Sequence, residues 1–298
     1  MTKSHQLAYL LLTLMAFFLA SNHIIGRFVH NEIPPIGLSF WRWLFAAILL
    51  LPYIIYKKRS VLHIFKNNIR SLSLLGGLII AATSLILVAL NSTTAINISI
   101  INTFQPILTV ILSWQFLNQK MSINQMMGVS LSSIGVLVMI SNGQIATILA
   151  LKFNNGDLIA ILAMCCFAFY AINVPQIPKE LDGAESLFGL IICGCIMLLP
   201  FYLIETIFYR SVPISMTTLW AIPALALLVS LFSMLIWNFA NHTVGPARAT
   251  VFINLIPVFG IILATTLLGE ILFLSHIIGA VFIFIGVACV IKNRLQND

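Results

Sequence analysis

Apolar residues run along this chain in ten stretches of about twenty, separated by short polar turns, and about twenty is the length a helix needs to cross a bilayer. The pattern predicts helices over 7–29, 36–56, 72–91, 96–117, 123–141, 157–177, 186–208, 217–240, 247–268 and 273–291. No Asp, Glu, Lys or Arg interrupts 71–119, which has room for two spans, or 211–247. The first stretch is too long for a signal peptide, has no clear small-x-small cleavage site, and is expected to be an ordinary span.

Within this pattern the stretch 95–119 recurs at 246–270, an offset of 151 residues. At that offset Pro106 falls on Pro257, Gln119 on Glu270, Gly128 on Gly279 and Gly135 on Gly286; further back, Ala89 falls on Ala240 and Asn22 on Asn173. Matches of Leu on Ile mean little in so apolar a chain, but Pro and Glu are rare in it. The chain is therefore an internal duplication. Five spans per copy is an odd number, so the second copy must enter the membrane from the opposite side. The expected fold is an all-α polytopic membrane protein of ten helices, two inverted five-helix repeats over 1–142 and 143–298.

Composition agrees: 60% of residues are hydrophobic and 8% charged, where a soluble domain carries roughly a quarter charged. The formal net charge of +7 could suggest nucleic acid, but its distribution reads as topology. With the N-terminus inside, all basic residues except Arg27, Arg42, Lys152 and Arg210 fall at inside loops or span ends. That is the positive-inside pattern, and it predicts a cytoplasmic (inner) membrane protein with both termini cytoplasmic. Cys165, Cys166, Cys193, Cys195 and Cys289 lie in apolar spans without ligand spacing and read as small core residues.

Polar residues inside the spans are the candidate chemistry. In the fourth span Ser99, Asn102, Pro106, Thr109 and Ser113 share one helical face, with Asn97 and Gln105 at its margins. Its repeat partner offers Thr250, Asn254 and Pro257. The eighth span presents Ser230, Ser233, Trp237 and Asn241 with Asn238 beside them, and the sixth gives Tyr170 and Asn173. Such residues either line a wet substrate path or hydrogen-bond packed helices to one another. Trp237 fits a ligand ring or an interfacial belt equally, whereas Trp41, Trp43 and Trp220 read as belt. Pro106 and Pro257 each remove a donor from a helix interior, and kinks at matching positions point to a midplane site with these prolines as hinges. Arg27, Arg42 and Glu270 are the charged groups nearest the membrane. Arg42 could attract a substrate carboxylate or phosphate, but pairing with Glu32 or backbone carbonyls is the preferred reading. Glu270 reads as a solvated loop acid.

On these residues the chain resembles the EamA-type branch of the drug/metabolite transporter superfamily. The resemblance rests on Ser21 with Asn22, Pro34 followed by Arg42 with Trp43, Ala89, the run 91–97, Pro106, Gly128 and Gly135. In the second half it rests on Pro257, Gly269 with Glu270, Gly279 and Gly286. It implies a secondary carrier with a central cavity, and adds Asn22 and Asn91 to the candidate substrate-binding residues. The chain departs from the family pattern in three respects. Leu19 and Ala20 stand where Trp-Gly is common, Gln119 replaces Glu, and Arg42 has only Cys193 as its repeat partner.

The expected function is transport of small amphipathic metabolites by alternating access, with amino-acid export the leading reading. A passive channel for small solutes is the alternative. Enzyme motifs are absent from the sequence. A small-molecule substrate and the lipid bilayer are the expected partners; nucleic acid, cofactor and metal are not expected, and a homodimer is left open.

Overall fold

A computed structural model describes residues 3–29, 32–57, 61–93, 95–119, 121–144, 146, 154–178, 180–269 and 271–292. Among these residues ten helical spans are long and apolar enough to cross a membrane: Lys3–Gly26, Pro35–Tyr56, Ile69–Ala89, Asn97–Leu117, Ile123–Ile140, Asn155–Gln176, Gly183–Phe208, Met216–Val244, Pro246–Leu267 and Leu274–Ile291. Helix is the form such stretches must take, because lipid offers no partner to an unpaired backbone amide or carbonyl. Local chemistry fixes several starts. Ser122 with Gln125, Asn154 with Asp157 and Asp182 with Glu185 form reciprocal capping boxes at spans five, six and seven, and Ser215 caps span eight.

Two features depart from the sequence pattern. A short helix, Val61–Asn67, occupies the loop between spans two and three. Span eight runs on to Val244, so the expected turn over 241–246 shrinks to Gly245 alone. Gly245 has φ +86° and ψ 155°, a backbone region open essentially only to glycine.

The inverted duplication is visible in the packing. Spans five and ten cross at glycines: a Cβ on Gly128 would meet the Gly286 carbonyl oxygen at 2.6 Å, and one on Gly135 the Gly279 carbonyl oxygen at 2.6 Å. Gly128 thus touches the repeat partner of Gly135, and Gly135 that of Gly128, the exchange a two-fold axis in the membrane plane produces. Spans two and seven form another antiparallel pair, held at both ends. The Glu205 carboxylate accepts from the backbone N–H of Ile36 (3.1 Å) and Gly37 (2.6 Å) at the start of span two. At the other end Lys57 bridges Asp182 and Glu185, with Tyr53 donating to Asp182 at 2.7 Å. Burial works to raise the Asp182 carboxyl, but the Glu185 backbone N–H, Lys57 and Tyr53 outweigh it and hold the group at about 2. Trp43 is 1% exposed and donates to Thr83 Oγ1 of span three at 3.2 Å, so it is an interhelical residue and not the belt residue its sequence suggested.

Candidate functional site

Spans four and nine are broken at corresponding places. The fourth comprises Ala95–Thr103 and Gln105–Leu117; the ninth comprises Pro246–Ala249, a 3-10 segment Thr250–Leu255 and Ile256–Leu268. Gln105–Leu117 maps onto Ile256–Leu268 residue for residue at the offset of 151. Each second half carries its proline in the first turn, where the missing N–H and the ring exclude regular bonding to the turn before. The chain answers with tighter bonds, Phe104 N–H to Ile101 and Ile256 N–H to Ile253. Both second halves end on a left-handed residue, Asn118 (φ 52°) and Gly269 (φ 67°).

At the end of the bundle marked by Gly245, spans four, six, eight and nine pack on one another. Tyr170 of span six is fully buried and donates to Asn238 Oδ1 at 2.6 Å; Asn241 Nδ2 donates to the Ala171 carbonyl at 2.9 Å. Trp237 is fully buried, with its ring against Phe167 at 5.1 Å. Several polar atoms here have no hydrogen-bond partner among the described residues: Gln105 Nε2, Ser113 Oγ, Trp237 Nε1, Asn238 Nδ2, Asn241 Oδ1 and Thr250 Oγ1. A buried donor or acceptor left unmade costs about 1–3 kcal/mol, so this cluster is polar ground that helix packing alone does not account for.

The packing is not symmetric. Gln105–Leu117 lies against Pro246–Ala249 and Thr250–Leu255 at the Gly245 end, while Ala95–Thr103 and Ile256–Leu268, their two-fold equivalents, make no contact of that extent. Asn241 ties span eight to span six; the equivalent spans one and three also lack such a contact. The halves therefore close at the Gly245 end and part toward the end marked by Asn154. Asn22 and Asn102 are partly exposed on spans one and four, and Phe104 is 48% exposed where Leu255, its repeat partner, is 1% exposed.

Other candidates are placed apart from this cluster. Asn97 donates to both oxygens of Asp157 (3.1 and 3.2 Å), which also accepts from Thr93 and from the Asn154 backbone, so Asn97 joins spans four and six at the Asn154 end. Asn254 donates to Ser132 Oγ at 2.9 Å on span five. Asn173 closes span six, its Nδ2 donating to the Phe169 carbonyl, and Asn91 is exposed in the turn after span three. Arg42 is 3% exposed in the first half of span two, its Nη1 3.3 Å from Ser230 Oγ. The expected Arg42–Glu32 pair does not form: the Glu32 carboxyl is held below its usual range first by the Ser215 and Thr217 hydroxyls. Glu270 and the Arg27 side chain lie outside the described residues. Sequence reading missed Asp157, Ser132 and Phe167; the capping-box spacing from Asn154 to Asp157 was the available signal for the first.

The profile of the EamA-like transporter family matches the chain twice, over residues 6–141 and 154–292. The uncharacterized transporter YyaM of Bacillus subtilis (strain 168) is 27% identical over 95% of this chain and 93% of its own length. An S-adenosylmethionine uptake transporter of Rickettsia conorii is 24% identical over 60% of this chain and 56% of its own length. A solved crystal structure superimposes with a TM-score of 0.78, covering 96% of this chain and 98% of that one at 16% identity, a likeness of fold.

Proposed function

Since the chain belongs to the EamA-like transporter family, we propose that it is a secondary carrier moving small amphipathic metabolites, amino acids or related compounds, by alternating access. The observation behind this reading is the set of buried polar atoms without partners around Gln105, Trp237, Asn238, Asn241 and Thr250, beside two broken helices. Lipid would not tolerate such groups, whereas a solute with an apolar body and a polar end would satisfy them while stacking on the Trp237–Phe167 pair. The breaks at Phe104 and Leu255 supply the joints about which the halves of spans four and nine move. Lys57, Lys66, Arg70 and Arg248 gather at the Gly245 end, which supports a cytoplasmic-membrane location with that end and both termini inside. The end at which the halves part then faces outward.

Counterflow in proteoliposomes tests the reading. Labelled amino acids should enter at a saturable rate that unlabelled solute inside the vesicle accelerates. Flux linear in concentration and indifferent to internal solute would make the chain a channel.

A further inference from the structure

Among the described residues Arg42 is a charge without a counter-ion. Five of the six described carboxylates are engaged elsewhere: Asp157 with Thr93 and Asn97, Asp182 and Glu185 with Lys57, Glu205 on the start of span two, and Glu32 with Ser215 and Thr217. Glu180 lies exposed in the turn between spans six and seven. Among the described residues, then, none forms an ion pair with Arg42.

The guanidinium is nonetheless held in place. Its Cζ sits 5.2 Å from the centre of the Trp43 ring, whose Nε1–H is fixed to Thr83. Nη1 reaches Ser230 Oγ at 3.3 Å, and Nε finds no acceptor. Ser230 belongs to Ala226–Ser233, where span eight widens into a π-helix; π segments inside α-helices are rare and concentrate at functional sites. Ser230 lies two turns before Trp237 on this span, so the hydroxyl that Arg42 of span two reaches and the aromatic end of the candidate site share one helix. An arginine on an apolar span, fixed in position and lacking an acid, suits an anion that comes and goes.

We propose that Arg42 and Ser230 form the subsite for an oxyanion carried by the substrate, which makes the transported class amphipathic organic acids, including zwitterions, with the apolar body toward Trp237. This deepens the carrier reading and rests on it. A carboxylate and a phosphate share the chemistry, and the probes below separate them.

The purified chain in detergent is melted with 3-phenylpropionate, 3-phenylpropionamide and phenethyl phosphate, which share a ring and differ in the polar end. One of the two anions should raise the melting midpoint and the amide should not; the larger shift identifies the oxyanion. Arg42→Met should melt without probe at or above the wild-type midpoint, because it removes an uncompensated charge. It should bind the anion tenfold to a hundredfold more weakly, the range of a lost charge-assisted bond. Arg42→Lys should fall between. Misfolding or early melting of Arg42→Met without probe would make Arg42 a structural charge and overturn the proposal; equal shifts for acid and amide, or none for either anion, would do the same. Amino-acid counterflow on these variants separates the two readings. Exchange undiminished in Arg42→Met removes the subsite and keeps the carrier, whereas no exchange in the wild type removes the carrier.

Discussion

Gly128 and Gly286 meet backbone to backbone, each placed so that a methyl group on one would fall 2.5–2.6 Å from the carbonyl oxygen of the other. Nothing flexible stands at that contact, so the spans themselves must move apart. Gly128→Ala and Gly286→Ala should each destabilise the protein by about 1–3 kcal/mol, read as a lower melting midpoint in detergent. Gly260 has nothing within 4 Å of its missing Cβ, and Gly260→Ala should be neutral or gain up to about 1 kcal/mol. Equal melting of all three variants would mean that spans five and ten do not cross here.

Trp237 is fully buried, so Trp237→Ala opens a cavity and should cost about 3–5 kcal/mol of stability, confounding any loss of transport. Trp237→Phe keeps one aromatic ring in the site and removes the unpaired Nε1–H with the rest of the indole, so it should cost less stability than the alanine variant. Asn102 is partly exposed, and Asn102→Ala should melt like the wild type while slowing counterflow several-fold, the effect of one neutral hydrogen bond. Normal counterflow in both Asn102→Ala and Trp237→Phe would take these side chains out of the substrate path.

The spans were legible in the sequence to within a few residues, because in lipid the backbone must bond to itself and a run of about twenty apolar residues admits one form. The two prolines were equally legible: both helix breaks lie within three residues of Pro106 and Pro257. What a side chain faces was not. A single helix repeats its polar face without saying which neighbour meets it, so Asn97 could not be tied to Asp157 on another span, nor Asn254 to Ser132. Trp43 shows the same limit: an aromatic near a span end fits the interface by sequence, and only the packing against Thr83 puts it inside.

The Asp182 carboxyl, held at about 2, gives a pH signature. Its folded value lies below the unfolded value of about 3.9, so the stability it lends is complete above about pH 4 and is lost as pH falls toward 2. Asp182→Asn keeps a good helix cap and removes the Lys57 pairing. Its melting midpoint should lie below wild type at pH 6, and the gap should close near pH 2. A gap that does not change with pH would assign the loss to capping alone.

Glu205 satisfies two backbone donors at the start of span two that have no other acceptor. Glu205→Ala should cost about 1–3 kcal/mol and speed hydrogen exchange at Ile36 and Gly37. Glu205→Gln, which keeps one acceptor oxygen, should lose less. Unaltered exchange at both amides in the alanine variant would show that span two is held by packing alone.

The single residue between spans eight and nine leaves their junction no slack. With Gly245 confined to a backbone region other residues avoid, the two helices tilt as one lever, and Trp237 on one arm must follow whatever Thr250 does on the other. The two faces that this hairpin lends to the proposed substrate path are thereby geared together, and through the Asn241–Ala171 and Tyr170–Asn238 hydrogen bonds span six is drawn along with them.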